Sequence, residues 1–231
     1  MSAFVAVICG LKSEAAAIKT SLANAKIDAA KARIGVSGAN AARAEDLAEG
    51  LIAAGARAVV SAGLCGGLDP LLSPGVLIIG ERVVSASGDV ILSDRTLLAA
   101  APPSAPRVAI FGSDDIIESA EKKKALYGRY ASQTVDMESH GAARAAARAN
   151  IPFIAVRVVA DHAARALPKA ALHAVTPSGG VNVVSVLIEC VKAPQQFEQI
   201  AMLGRESGAA TETLRRDFGD VFSRFLLALD L

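Results

Sequence analysis

Apolar positions along the chain fall into two patterns. Short, nearly unbroken runs rich in Val and Ile occur at Phe4–Cys9, Arg33–Val36, Ala58–Gly63, Arg107–Phe111 and Ile154–Val159, with longer helical stretches between them. Runs of this length read as buried strands, and their alternation with helices predicts an α/β fold with a largely parallel sheet. The helices expected are Glu14–Ala23, a second from Asn40 to about Ala54, Thr96–Ala101, Ser119–Tyr130 and Met137–Ala149. Asn40 suits the cap position because its side chain can accept from the open amides of a first turn. Val76–Val84 and Val90–Leu92 read as a hairpin tipped by Ser87-Gly88-Asp89, and a short strand ends at Val135. From Leu167 onward the pattern is helical, with breaks near Pro177-Ser178-Gly179-Gly180, at Pro194 and at Gly219. Near the end, Phe218, Val221, Phe222, Phe225 and Leu229 form a stripe at helical spacing that reads as core packing. With no linker or repeat, residues 1–231 read as one domain.

Composition narrows the class. Of the 231 residues 52% are apolar and 20% charged, a balance that excludes a disordered chain. The formal net charge of +1 supplies no field to hold a nucleic-acid backbone. Cys9, Cys65 and Cys190 are too far apart for a zinc site and odd in number for a disulfide framework, which points to a reducing compartment. No apolar run reaches the roughly 20 residues of a membrane span, and Phe4–Cys9 lacks the flanks of a signal peptide, so a cytoplasmic location is expected.

Four segments carry candidate chemistry. Ala62-Gly63-Leu64-Cys65-Gly66-Gly67 follows a strand, where an open α/β sheet builds its ligand crevice. It reads either as a turn that needs glycine for its backbone or as a nest of amides for an anion or sugar. Thr134-Val135-Asp136-Met137-Glu138-Ser139 brings carboxylates to the start of a helix, either as caps or to grip the vicinal hydroxyls of a ribose. Asp161, just past the last strand, is either a turn residue or a proton donor whose pKa burial has raised. Glu14 has the same ambiguity between first-turn charge and base. His140, His162 and His173 have no metal-ligand spacing, and no serine sits in a nucleophile elbow.

Taken in order, Glu14, Gly-Leu-Cys-Gly-Gly after Ser61-Ala62, Val-Asp-Met-Glu at 135–138 and Arg157-Val158-Val159-Ala160-Asp161 resemble the nucleoside phosphorylase and nucleosidase superfamily. The resemblance runs from the first strand to about residue 190. Within it the chain is most similar to the bacterial hopanoid-associated phosphorylases, through Val-Asp-Met-Glu-Ser-His, Arg-Val-Val-Ala-Asp-His with Arg165-Ala166-Leu167-Pro168, and Lys192-Ala193-Pro194-Gln195. That family is linked to release of adenine from adenosylhopane in hopanoid lipid synthesis. The resemblance implies a single-domain three-layer α/β/α fold whose central mixed sheet is partly barrel-like. It implies that Asp161 protonates N7 of adenine, that Glu138 holds the ribose hydroxyls, and that Met137 packs on the sugar. Ile116 and Ile117 would meet the purine through backbone groups, and Gly66 and Gly67 would line the sugar or anion pocket.

Departures from the superfamily leave the second substrate open. Phosphate-binding arginines are missing from the first loop, here Cys9-Gly10-Leu11-Lys12-Ser13-Glu14, and from the position of Ser61. Glu14 then resembles the base with which methylthioadenosine-type nucleosidases activate water. Should phosphate bind, Ser37-Gly38-Ala39-Asn40 at a helix start is a candidate site, with Arg43 and Arg165 as candidate charges. The expected function is cleavage of the N-glycosidic bond of a 5′-substituted adenosine, adenosylhopane above all, by phosphorolysis or hydrolysis. A methylthioadenosine or S-adenosylhomocysteine nucleosidase, or a purine nucleoside phosphorylase, is the alternative. A nucleoside-binding module without catalysis is disfavoured by the presence of both Asp161 and Glu138. No metal and no cofactor are expected, phosphate remaining open as a co-substrate. The expected partners are a small nucleoside with an apolar 5′ group, further copies of the chain in a homo-oligomer, and a membrane touched transiently, but no nucleic acid. An apolar channel near the 5′ end is expected, with Phe222 and Phe225 as candidate lining.

Overall fold

The Val- and Ile-rich runs pair into one sheet that partly closes on itself. The computed structural model describes residues 3–168, 176, 178–180 and 197–231. In chain order the elements are β1 (Phe4–Cys9), α1 (Lys12–Asn24), β2 (Ala32–Val36), α2 (Ala41–Ala53), β3 (Ala56–Gly67), β4 (Leu77–Ser85), β5 (Val90–Leu92), α3 (Arg95–Ala100), β6 (Arg107–Gly112), α4 (Ala120–Tyr130), β7 (Thr134–Asp136), α5 (Ser139–Ala149), β8 (Phe153–Asp161) and α6 (Phe197–Ala228). The sheet order is β2-β1-β3-β7-β6-β4-β5, and β8 pairs with both β3 and β4. Strands β3, β7, β6, β4 and β8 therefore form a ring, with β1 and β2 as an open wing. Pairings β1/β2, β1/β3, β3/β8, β4/β6 and β6/β7 are parallel; β3/β7, β4/β5 and β4/β8 are antiparallel. This is the expected α/β fold with a mixed, partly closed sheet.

Side-chain alternation along β1 divides the core into two layers. Val5, Val7 and Cys9 pack toward Ile18 and Leu22 of α1 and Leu214, Phe218, Phe222 and Phe225 of α6. Phe4, Ala6 and Ile8 point the other way, into a layer with Ala44 and Ala48 of α2 and Ala142 and Ala146 of α5. Small side chains let the helix pairs approach closely. A Cβ at Gly141 of α5 would collide with the Ala41 carbonyl of α2, and one at Gly219 of α6 with the Ser21 carbonyl of α1. On their outer faces Arg144 and Arg148 bridge α5 to Glu45 of α2 at 2.6 and 2.5 Å.

Several expectations need correcting. Residues 62–67 are not a turn: β3 continues to Gly67, paired with β8 through a register shift between Cys65 and Gly66. Gly219 does not break α6, because its N–H donates to Ser21 Oγ at 2.7 Å and the glycine serves the helix contact. Phe222 and Phe225 are fully buried in the core and line no channel. Helix α5 begins at Ser139, two residues later than the pattern suggested, and Leu167 and Pro168 are not helical. His173, Cys190, Lys192–Gln195 and the breaks at Pro177 and Pro194 lie outside the described residues.

The two kinds of helical glycine predict opposite stability changes. Gly141→Ala should cost about 1–3 kcal/mol through overpacking. Gly128→Ala, where a Cβ meets nothing within 4 Å, should stabilise by about 0.5–1 kcal/mol. Urea unfolding of both variants checks the signs.

Candidate active site

The ends of β3, β7 and β8, the first turn of α1 and the segment after β6 enclose a cavity of about 260 Å³. Parallel strands end their peptide ladders on one side of a sheet, so groups just past those ends converge there. Glu14, Asp115, Asp136, Glu138 and Asp161 line this cavity with a single cationic residue among the described residues, Lys123. Leu11, Leu64, Leu167 and Leu203 supply much of its apolar wall.

Beneath it lies Arg157, on β8 and fully buried. A guanidinium without solvent needs anionic partners, since leaving it unpaired costs several kcal/mol. Its Nε pairs with Asp136 Oδ2 at 2.7 Å and its Nη2 with Glu138 Oε2 at 3.2 Å. Nη2 also donates to Ser61 Oγ at 2.7 Å and Ser139 Oγ at 3.1 Å. Burial opposes the charge, but Asp136, Glu138 and Glu14 outweigh it and hold the Arg157 pKa above its ordinary value.

Glu14 belongs to the same cluster. Its Oε2 accepts from the Gly10 and Leu11 amides and its Oε1 from the Leu64 amide of β3, each at 2.8 Å. Burial nevertheless raises its pKa, with Arg157 and the three amides opposing. Glycine is demanded at two contacts here. A Cβ on Gly10 would strike Glu138 Oε1, and one on Gly63 would lie 2.8 Å from Glu14 Oε1 and 2.7 Å from Arg157 Nη1. The glycine-rich segment thus offers an amide to the protein's own carboxylate.

Three carboxyl groups share this one guanidinium. Burial, with Asp136 and Glu14 adding repulsion against the pull of Arg157, pushes Glu138 up to about 8, so it keeps a proton near neutrality. Asp136 takes the capping role considered for its segment, its Oδ1 accepting from the amides of Glu138 and Ser139 at 3.3 and 3.0 Å, and adds one not considered, its other oxygen meeting Arg157.

Asp161 lines the same cavity, with Oδ1 3.2 Å from a Cβ built on Gly66. Its Oδ2 accepts from Lys123 Nζ, which also donates to the His162 carbonyl at 3.2 Å. Burial raises the Asp161 pKa; the Lys123 ammonium opposes that rise.

Of the residues picked from the sequence, Glu14, Glu138, Asp161, Met137, Ile116, Ile117 and Gly66 all line the cavity. Gly67 does not, because its Cα faces the Asp161 carbonyl, to which a Cβ would come within 2.8 Å. Nor does Arg165 line it: its Nη2 pairs with Glu206 of α6 at 2.8 Å. Ala39 reaches the cavity from the start of α2, where Asn40 Oδ1 caps the helix by accepting from the Arg43 amide at 2.9 Å. Sequence reasoning gave no role to Arg157 or Lys123. A charged residue in the apolar run Phe153–Val159 was a usable signal for Arg157, whereas Lys123 is flanked by Lys122 and Lys124 and looks like part of a solvated face. Among the described residues no group of three or more His, Cys, Asp or Glu is placed to hold a metal ion.

Two stability predictions follow from the cluster. Arg157→Met should cost about 3–5 kcal/mol in urea unfolding, because it strands buried carboxylates. A carboxyl whose pKa is higher folded than unfolded stabilises most below its unfolded value, and that contribution fades as pH rises through the folded value. For Glu138 the loss runs from 4.5 to about 8. Wild-type unfolding free energy should therefore fall across this interval, and Glu138→Gln should flatten the fall.

The phosphorylase superfamily pattern matches residues 26–193. No curated protein matches the chain. Among solved structures, 5′-methylthioadenosine/S-adenosylhomocysteine nucleosidase from Helicobacter pylori with butyl-thio-DADMe-Immucillin-A superposes with a TM-score of 0.67 at 15% identity, over 95% of this chain and 99% of that one. The corresponding nucleosidase from Neisseria meningitidis gives 0.66 at 18% identity, over 95% and 100%. Native futalosine hydrolase of Helicobacter pylori gives 0.66 at 15%, over 94% and 97%. These likenesses establish the shared fold, and the match over residues 26–193 establishes the lineage: the chain belongs to the phosphorylase superfamily and is a glycosyl-cleaving enzyme.

Proposed function

We propose that the enzyme hydrolyses the N-glycosidic bond of an adenosine bearing an apolar 5′ substituent and releases adenine. The observation that carries this reading is that Asp161, paired with Lys123, lines the same cavity as Glu14 and Glu138, which share Arg157. Breaking a ribose C–N bond builds positive charge on the sugar and negative charge on the base. Asp161 neutralises the base at N7, and a carboxylate beside the sugar, Glu14, stabilises its developing cation. Glu138 accepts from the ribose hydroxyls, Met137 packs on the sugar, and Glu14 takes the proton of the attacking water. The backbone N–H and C=O groups of Ile116 and Ile117 enter no hydrogen bond among the described residues, so they are free to pair with the purine edge.

Charge supports water over phosphate as the acceptor. Five carboxyl-bearing residues line the cavity against Lys123, which Asp161 already engages. A phosphate dianion would be repelled, and Arg165 is engaged by Glu206. The solved structures most usefully compared are themselves described as nucleosidases or a hydrolase.

The side chains of Leu11, Leu64, Leu167 and Leu203 offer no hydrogen bonds and favour an alkyl or alkylthio 5′ group. The sequence resemblance favours adenosylhopane, whose large ring system must extend out of a cavity of about 260 Å³. Methylthioadenosine is the second reading, supported by the nucleosidase likenesses. Uptake of a lipid-borne substrate requires passing contact with a bilayer; no helix among the described residues is long and apolar enough to cross one. A cytoplasmic homo-oligomer that needs no cofactor completes the proposal.

Adenine release from adenosylhopane, 5′-methylthioadenosine and adenosine, each with and without phosphate, tests it. Release should be independent of phosphate and fastest with an apolar 5′ group. A phosphate requirement would overturn hydrolysis, and preference for unsubstituted adenosine would overturn the 5′ assignment. Asp161→Asn should lower kcat about 10²–10⁴-fold.

A further inference from the structure

Lys123 is an unexpected residue to find at a helix start. It sits one turn after the Ser119 cap of α4, whose Oγ accepts from the Lys122 amide at 3.2 Å. The partial positive charge of a helix N-terminus disfavours a cation there. Its side chain is only 1% exposed, and desolvating an ammonium is costly unless a specific partner compensates. That partner is Asp161, and Lys123 makes no other ion pair among the described residues.

We infer that Lys123 is the positioning residue of the proton donor: its ammonium grips Asp161 Oδ2, leaves Oδ1 for the base, and stabilises the carboxylate that remains once Asp161 has delivered its proton. This rests on the hydrolysis proposed above. The other groups that bear on Asp161 do not compete for the role. Arg165 and Glu206 oppose one another across 2.8 Å. The Cys65 thiol of β3 is kept protonated by burial. His162 turns its ring away, with Nε2 3.1 Å from the Pro70 carbonyl and Nδ1 accepting from the Ala164 amide at 3.1 Å.

The proton balance closes. The C1′–N9 electron pair leaves with the purine, N7 takes the proton of Asp161, and the Asp161 carboxylate that remains stays paired with the Lys123 ammonium. The proton released by water at Glu14 returns to solvent, and Asp161 regains one as adenine departs. An ammonium beside a carboxyl favours its ionised form, so Lys123 makes Asp161 a stronger acid and brings the alkaline limit of activity to lower pH than Asp161 alone would have.

Two substitutions separate the charge of Lys123 from mere packing. In Lys123→Met, Asp161 acts without a neighbouring cation; as a weaker acid it should give a kcat lowered about 10-fold, with the alkaline limb of the pH profile moved to higher pH. Lys123→Arg preserves the ion pair, so its kcat and alkaline limb should stay near wild type. A Met variant impaired by the same factor at every pH, or an Arg variant as impaired as Met, would overturn the inference and leave a structural ion pair. In the Asp161→Asn background neither change should lower kcat by more than about twofold; a further large loss would equally overturn it. Thermal unfolding confirms that each variant is folded.

A readout independent of turnover uses ¹³C-carboxyl aspartate labelling, with the Asp161 signal identified by its loss in Asp161→Asn. In Lys123→Met that carboxyl should hold its proton to higher pH than in wild type. An unchanged titration would overturn the inference. If wild type released adenine from no nucleoside, the proposed function would fail, while this titration would still decide the coupling of Lys123 to Asp161.

Discussion

A single buried guanidinium dictates where the active-site carboxylates sit. Arg157 lies in the middle of β8 with no access to water, so its charge must be met by acids from neighbouring elements. Asp136 comes from the end of β7, Glu138 from the junction with α5, and Glu14 from the first turn of α1. Ser61 and Ser139 fill its remaining donor directions. Glycine at 10 and 63 leaves the room these groups occupy. The ring of strands is thus pinned at the point where the substrate cavity opens.

Cation supply then separates the titrating groups into two populations. Three carboxyls share Arg157, and the result is a cluster that retains a proton near neutrality. In the same cavity Asp161 is paired with a different cation, the Lys123 ammonium. Placing titratable groups in environments that push their pKa values apart is how one cavity holds an acid and a base at the same pH. The hydrogen bonds from Gly10, Leu11 and Leu64 to Glu14 fix the orientation of that carboxylate before any substrate arrives.

Much of this was legible in the chain and some was not, for identifiable reasons. Buried strands announce themselves because both faces need apolar side chains, and Asn40 announced a helix start because its cap is a local interaction. Glycines mislead, because the same residue serves a turn, a close helix contact or a strand crowded by side chains. Residues 62–67 and Gly219 were misread for that reason: what crowds them, Glu14, Arg157, Asp161 and Ser21, is distant in sequence. Lys123 was invisible because its neighbours in sequence are solvated lysines while its partner arrives from another strand. The apolar stripe holding Phe222 and Phe225 was read correctly as core, and the same burial rules out their use as channel lining.

Helix α6 reaches the cavity with Leu203 and Ser207, yet the carboxylates that line it come from the sheet and from other helices. In the proposed reading one part of the wall that meets a substituent, Leu203, therefore stands on a segment apart from the carboxylates, whereas Leu11 and Leu64 sit beside Glu14. Drift at the cavity-facing positions of α6 would then reshape what the pocket admits while its buried phenylalanines keep the helix anchored in the core. In evolutionary terms such a scaffold acquires new substrates by altering one rim of a cavity, its carboxylates held constant.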